Sequence, residues 1–231
     1  MDTKLEKPIR VNSNLVNGEH LSCGVNSIMS ILYSLGFTNI NIEELNNKLI
    51  EKDIELRFGG IYKIEKLIQT LENIKSIEKI KFNYEIQEFS TDEELHNILK
   101  NKNKYALVCY YALQGFVRVS NHPSMEHAHF GIIYNYNPET RKISGSQSNS
   151  KADKLGCLDN VDINKFVDSC NIINKTKVNW GKYNKCKIYT SKSYLEHCAR
   201  CGEDSCNLGL NDTSECIYYP TIGNKLILIN K

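Results

Sequence analysis

A cysteine stands where a helix is predicted to begin. Apolar residues follow Ser22-Cys23-Gly24 at helical spacing, which predicts a helix over 23–35 with Cys23 in its first turn. Unpaired backbone N–H groups and the macrodipole at a helix N-terminus stabilise a thiolate and lower the pKa of its thiol. Gly24 leaves room for a substrate backbone. Cys23 is therefore the candidate nucleophile; the alternative, for any single cysteine, is a buried structural thiol.

A histidine begins a predicted strand far downstream. His129 directly precedes the apolar run 130–134, and an imidazole accepts a thiol proton near neutral pH. His127 competes for the role of base, because residues two apart lie on the same face of a strand. We predict that His129 is the base, since it adjoins the apolar run. His20, in the loop before the helix, is expected to face substrate or to have no role.

Two amide side chains are candidates for supporting roles. The group that orients the imidazole should come from the strand paired with that of His129, which predicts Gln147, with Asn149 as the alternative. Asn17 lies six residues before Cys23 and precedes a glycine. Its amide could join the Cys23 backbone N–H in stabilising an oxyanion. Ordinary polar turns are the alternative at each position.

These residues resemble a family of peptidases. Asn17-Gly18 and Ser22-Cys23-Gly24 are similar to the papain-type pattern, in which Gln-Gly precedes Ser-Cys by the same interval. This chain has asparagine where that family has glutamine. The segment His129-Phe130-Gly131-Ile132-Ile133 resembles the His-aromatic-aliphatic strand of C39-like peptidases.

A closer resemblance is to the actin maturation protease family, which is itself C39-like. Residues 58–62 resemble its Gly-Glu-Met-Phe stretch, residues 126–130 its Ala-His-Trp site, and residues 147–150 its Gln-Gly-Lys-Ser segment. The matches occur in the family's order over roughly residues 15–175. The resemblance implies a papain-like cysteine peptidase fold and cleavage near the N-terminus of a protein substrate, with actin as the representative substrate.

Cysteines cluster near the end of the chain. The nine cysteines are odd in number, and a secreted disulfide scaffold would be shorter. A Cys-x-x-Cys pair suits a tetrahedral zinc site, with His197 as a substitute ligand. The alternative is an exposed loop with free thiols or a chance disulfide. We predict an insertion at about 191–220, and the candidate structural zinc ligands are Cys198, Cys201, Cys206 and Cys216.

Composition limits the class of protein. A chain of 231 residues with 41% hydrophobic and 24% charged residues is typical of one globular domain, here 1–231. A net charge of +2 gives no basic footprint, so no nucleic-acid partner is expected. No apolar run approaches membrane-spanning length, so no membrane partner is expected either. Residues 1–8 contain no apolar signal core, and we expect a cytoplasmic location.

Helices and strands are predicted in different halves of the chain. This order predicts an α+β fold in which a helical N-terminal half packs on a C-terminal antiparallel sheet. Asn41 and Thr91-Asp92-Glu93-Glu94 are cap signals, and Gly36 and Asn137-Pro138-Glu139-Thr140 are a helix stop and a turn. Further helices are predicted after Asn41, over 61–71, after Thr91 and over 163–170, and strands over 80–86, 105–112, 130–136, 141–147, 185–190 and 225–229.

The candidate residues favour one function. We predict a cysteine peptidase that needs no cofactor for catalysis and acts on a protein or peptide, with Cys23 as nucleophile and His129 as base. A papain-fold acyltransferase or transglutaminase-like enzyme would use the same residues. A zinc-stabilised, non-catalytic binding module is the alternative outside enzymes.

Overall fold

A computed structural model of the chain describes residues 5–11, 23–52, 63–100, 103–113, 116–119, 128–147, 155–175, 178–179, 217–218 and 221–231. The predicted break at Gly59-Gly60, the predicted strand 185–190 and the predicted cysteine-rich insertion lie outside these residues. The prediction of a single domain stays a prediction.

Five helices lie in the described part of the chain. They are α1 (Cys23–Ser34), α2 (Ile42–Lys52), α3 (Ile64–Glu78), α4 (Asp92–Leu99) and α5 (Ile163–Lys175). All five correspond to predicted helices, and α3 and α5 run farther than their patterns indicated.

The predicted cap signals act as expected. The side-chain Oδ1 of Asn41 accepts hydrogen bonds from the backbone N–H groups of Glu43 and Glu44, at 3.1 and 3.3 Å. Thr91 and Glu94 form a reciprocal capping box at the start of α4. Gly36 has φ of 91°, the left-handed conformation that commonly ends a helix. Local side-chain chemistry therefore sets these helix ends.

Most of the described strands form one antiparallel sheet. Its order is β1-β9-β2-β4-β5-β6, and β3 pairs with β2. β7 and β8 form a separate antiparallel pair. The predicted strands 105–112, 130–136, 141–147 and 225–229 are confirmed as β2, β4, β5 and β9, the predicted strand 80–86 is displaced to β1, and the predicted strand 185–190 lies outside the described residues. The strands are β1 (Asn83–Glu88), β2 (Tyr105–Leu113), β3 (Phe116–Val117), β4 (Ala128–Asn137), β5 (Lys142–Gln147), β6 (Val161–Asp162), β7 (Val178–Asn179), β8 (Ile217–Tyr218) and β9 (Lys225–Asn230).

Helices cover both faces of this sheet. Alternate residues of β2, such as Leu107 and Cys109, belong to a core shared with α1, α2 and α3. The residues between them, such as Val108 and Tyr110, belong to a second core shared with α4 and α5. The predicted α+β composition is confirmed. The arrangement differs from the predicted one in that α5 and α4 pack against the face opposite the first three helices.

Helix α1 is buried along most of its length. Residues 24–32 are all buried, including three polar side chains. The Ser30 and Ser34 hydroxyls accept hydrogen bonds from the backbone N–H groups of Val11 and Ile9, at 3.0 and 2.7 Å. These bonds hold residues 9–11 alongside α1 and provide hydrogen-bond partners for the serine hydroxyls. The helix that begins at Cys23 is therefore held from several sides.

Gly145 of β5 provides a test of how tightly the core is packed. A methyl group on Gly145 would lie 2.8 Å from the Ile132 carbonyl oxygen and closer still to a side-chain carbon of Leu158. The N–H of Gly145 donates a hydrogen bond to the Leu158 carbonyl oxygen. We expect Gly145→Ala to lower the free energy of unfolding by about 1–3 kcal/mol, because the added carbon overpacks the core. Urea denaturation measures this. Lys142→Ala, a partly exposed change in the same strand, should stay within about 0.5 kcal/mol. Equal effects of the two would contradict the packing argument.

Candidate active site

The N-terminus of α1 meets the start of β4. The backbone N–H of Phe130 donates a hydrogen bond to the Cys23 sulfur at 3.4 Å. The pairing of β4 with β5 begins at Gly131, so the first three residues of β4 extend beyond β5. The first turn of α1 contains no acidic side chain that would offset the positive end of the helix dipole. Cys23 is half-buried, and these surroundings favour the anionic form of its sulfur.

Ser27 makes a second contact between α1 and β4. Its hydroxyl donates to the carbonyl oxygen of Phe130 at 3.5 Å. Because Ser27 follows Cys23 by four residues, the two side chains lie on the same side of the helix. Both backbone polar groups of Phe130 are thus held by α1, which fixes the position of the neighbouring His129. Ser27 was not among the residues predicted from the sequence, although it follows Cys23 at helical spacing.

The structure brings His129 next to Cys23. His129 lies opposite Tyr110 of β2, and the two rings meet edge to face, with centroids 6.0 Å apart and planes at 82°. The imidazole Nε2 is buried and has no partner in hydrogen-bond geometry among the described residues. The ring is therefore oriented by packing and by its two polar neighbours, Cys23 and Gln147.

Electrostatic effects shift the pKa values of the pair in opposite directions. Burial would raise the pKa of Cys23, but the charge and hydrogen bonding of His129, with the N–H groups of Phe130 and Gly24, lower it. Burial would lower the pKa of His129, but the charge and hydrogen bonding of Cys23 and hydrogen bonding by Gln147 raise it. The two shifts favour a thiolate–imidazolium pair, since each charge stabilises the other.

Gln147 is the last residue of β5, which pairs with β4 on the side opposite β2. Its side chain is 2% exposed, and its Oε1 accepts a hydrogen bond from the Tyr110 hydroxyl at 3.1 Å. Gln147 raises the pKa of His129, yet Nε2 of that ring lacks a formed hydrogen bond. The side chain of Gln147 therefore lies beside the imidazole of His129 while the Tyr110 hydroxyl holds its oxygen.

The other described cysteines have a different setting. Cys109, Cys157 and Cys170 are buried and in no disulfide, whereas Cys23 is half-buried. Burial raises the pKa of Cys109 and of Cys170 above the ordinary value. Of Cys23, Cys109 and Cys170, Cys23 is the one whose pKa is lowered.

Several predicted site residues lie outside the described part of the chain. The roles predicted for these residues stay predictions. The same holds for the catalytic roles of Cys23, His129 and Gln147. In the described ranges, three or more side chains suited to a metal ion are nowhere grouped together. The zinc site was predicted in a segment that these ranges do not include. The residues outside are Asn17, His20, His127, Asn149, His197, Cys198, Cys201, Cys206 and Cys216.

The chain was compared with protein-family models and with curated proteins. No protein-family model matches the chain, and a search of curated proteins finds no match to it. Within the described residues, every helix is too short or too polar to cross a membrane. The interpretation of the site therefore depends on its geometry and on the resemblance carried by its motifs.

Proposed function

We propose that this protein is a cysteine peptidase with a papain-like fold. One observation carries the proposal: the half-buried Cys23 sulfur lies at the start of a buried helix, accepts the Phe130 N–H, and shares a charge-stabilised pair with His129. A nucleophile beside its base, with a third group beside the base, is the arrangement that covalent catalysis by cysteine requires. The cysteine-bearing helix packed on a sheet that carries the histidine supports the fold assignment.

The proposed reaction proceeds in two halves. The Cys23 thiolate attacks the carbonyl carbon of a peptide bond, a C–S bond forms, and the carbonyl oxygen becomes negative. The Cys23 backbone N–H and the Asn17 amide are the proposed donors to this oxyanion. The His129 imidazolium protonates the leaving nitrogen as the C–N bond breaks. Neutral His129 then takes a proton from water as the water oxygen attacks the thioester carbon. The C–S bond breaks, which releases the carboxylic acid and restores the Cys23 thiolate and the His129 imidazolium. No cofactor takes part.

The proposed substrate class comes from the family resemblance. It suggests limited processing near the N-terminus of a protein, such as actin. Mass spectrometry of actin after incubation with the protein tests this directly. Loss of residues from the actin N-terminus is expected with wild-type protein and not with Cys23→Ala. Cleavage of other proteins but not of actin would contradict the proposed substrate, but it would be consistent with the proposed reaction class.

An activity-based electrophile followed by peptide mapping tests the reaction class. We expect modification confined to Cys23. Adding an amine acceptor separates hydrolysis from acyl transfer, because the papain-fold acyltransferase alternative would give an amide product in place of a carboxylic acid. Slow and unselective labelling of all nine cysteines would favour the non-catalytic binding module.

The opposite pKa shifts predict the pH dependence of the site. As pH falls through the lowered pKa of Cys23, the thiolate gains a proton and alkylation slows. As pH rises through the raised pKa of His129, the imidazolium is lost and peptide cleavage slows. Cleavage should therefore follow a bell-shaped profile.

Iodoacetamide labelling at graded pH measures the acidic limb without a known substrate. Near about pH 6, Cys23 should react at least about tenfold faster than a free small thiol, because more of it is ionised. The three other described cysteines are internal controls in the same digest. A midpoint for Cys23 at the ordinary thiol pKa would contradict the proposed pair.

A further inference from the structure

Tyr110 is a buried polar residue that the proposed reaction does not use. It lies on β2, its side chain is fully buried, and its hydroxyl donates to Oε1 of Gln147 at 3.1 Å. A buried hydroxyl needs a partner, because leaving it without one costs free energy. Here the partner is the residue predicted to orient the catalytic base.

The path of the Tyr110 side chain depends on a glycine. Tyr110 is on β2 and Gln147 on β5, and β4 lies between these strands. Tyr110 is opposite His129, and Gln147 is opposite Gly131. A Cβ on Gly131 would lie 2.9 Å from Cε1 of Tyr110. The ring therefore crosses β4 over the one position where no side chain obstructs it.

The ring is held firmly in this position. The imidazole of His129 meets it edge to face, and the ring of Phe166 on α5 packs against it with centroids 5.6 Å apart. Burial raises the pKa of Tyr110 well above its ordinary value. The phenol is thus protonated, and a hydrogen-bond donor, across the pH range in which the thiolate–imidazolium pair exists.

The orientation of the Gln147 amide has a chemical consequence. An amide presents an acceptor oxygen on one side and an NH₂ donor on the other, and only the oxygen stabilises an imidazolium. A hydroxyl donor beside Gln147 selects the orientation with Oε1 toward it. That oxygen has a second lone pair, and the buried Nε2 of His129 is the nearby group without a formed hydrogen bond.

We infer that Tyr110 is a positioning residue, which fixes the Gln147 amide so that its oxygen supports the His129 imidazolium. This inference rests on the proposed function and adds a residue to it. Among the described residues, the groups that face the imidazole are Cys23 from α1, Tyr110 from β2 and Gln147 from β5. Tyr110 acts on His129 through Gln147, because a protonated phenol has no charge of its own.

The test compares Tyr110→Phe with Tyr105→Phe. Tyr105 is a buried tyrosine on the same strand, and its hydroxyl donates to the Glu6 carbonyl at 3.1 Å. Both variants lose one hydroxyl and one hydrogen bond. In Tyr110→Phe, the acidic limb of Cys23 alkylation should move to higher pH by about half a unit or more. The alkaline limb of cleavage should move to lower pH, and kcat/KM should fall by about three- to tenfold. Tyr105→Phe should change neither limb.

A double variant separates positioning from packing. If Tyr110 acts through Gln147, then Tyr110→Phe should have no further effect on the pH profile in a Gln147→Ala background. Additive effects would overturn the inference, as would an unchanged profile in folded Tyr110→Phe. A slowly exchanging Tyr110 hydroxyl proton in the NMR spectrum of wild-type protein is expected, and its absence would overturn the inference without any variant.

The outcomes also separate this inference from the proposed function. A wild-type protein without a selectively reactive Cys23 would overturn both. A reactive Cys23 whose pH profile does not respond to Tyr110→Phe would overturn the role of Tyr110 alone.

Discussion

Cys23→Ala is expected to abolish peptide cleavage and selective electrophile labelling while leaving the fold intact. The substitution removes one sulfur from a half-buried position at a helix start, so little packing is lost. The sulfur is the atom that forms the covalent bond, and its pKa is lowered whereas the pKa values of Cys109 and Cys170 are raised. Turnover should fall to background, and circular dichroism should match that of the wild type.

Cys157→Ala is the matched control for this experiment. Cys157 is also in no disulfide, but it is buried on another segment. The same chemical change there should leave labelling of Cys23 and cleavage in place. Substantial cleavage by correctly folded Cys23→Ala would contradict the assignment of the nucleophile, and so the peptidase proposal.

Local signals made part of the candidate site predictable. Cys23 follows a serine and precedes an apolar helical pattern, and His129 directly precedes an apolar strand. Each signal lies within a few residues of the side chain it predicts. The partner of His129 was narrowed to the end of the next strand because consecutive antiparallel strands usually pair. The structure brings Cys23, His129 and Gln147 together.

Contacts over long separations could not be read in the same way. The role inferred for Tyr110 depends on the register that sets it opposite His129 and on the absence of a side chain at Gly131. Ser27 contacts Phe130 across 103 positions of sequence. Neither residue lies in a motif, since the relevant distances arise only when β2, β4 and β5 are aligned.

The fold shows the same division between local and distant information. The caps at Asn41 and Thr91 were predictable because each satisfies backbone groups two or three residues away. The position of β9 between β1 and β2 could not be predicted, because this pairing brings a strand late in the chain to strands much earlier in it. The continuous apolar run of β2 did indicate a buried strand, and helices on both of its faces are the physical reason for that pattern.

His129→Ala should lower kcat/KM far more than His127→Ala. The change removes the group that protonates the leaving nitrogen and activates water, and loss of such a group costs about 10²–10⁴-fold. It also removes the charge and hydrogen bonding that lower the pKa of Cys23. Without them burial raises that pKa, so the acidic limb of alkylation should move to higher pH.

The comparison with His127 makes this result specific. Both variants remove an imidazole from positions two residues apart in sequence, and circular dichroism of each variant measures any loss of folding separately. Cleavage assays and iodoacetamide labelling at graded pH should change strongly in His129→Ala alone. If His127→Ala had the larger effect on both, His127 would be the base. The contacts that lower the pKa of Cys23 would then lie in a part of the chain before β4, and the pairing of Cys23 with His129 would have to be abandoned.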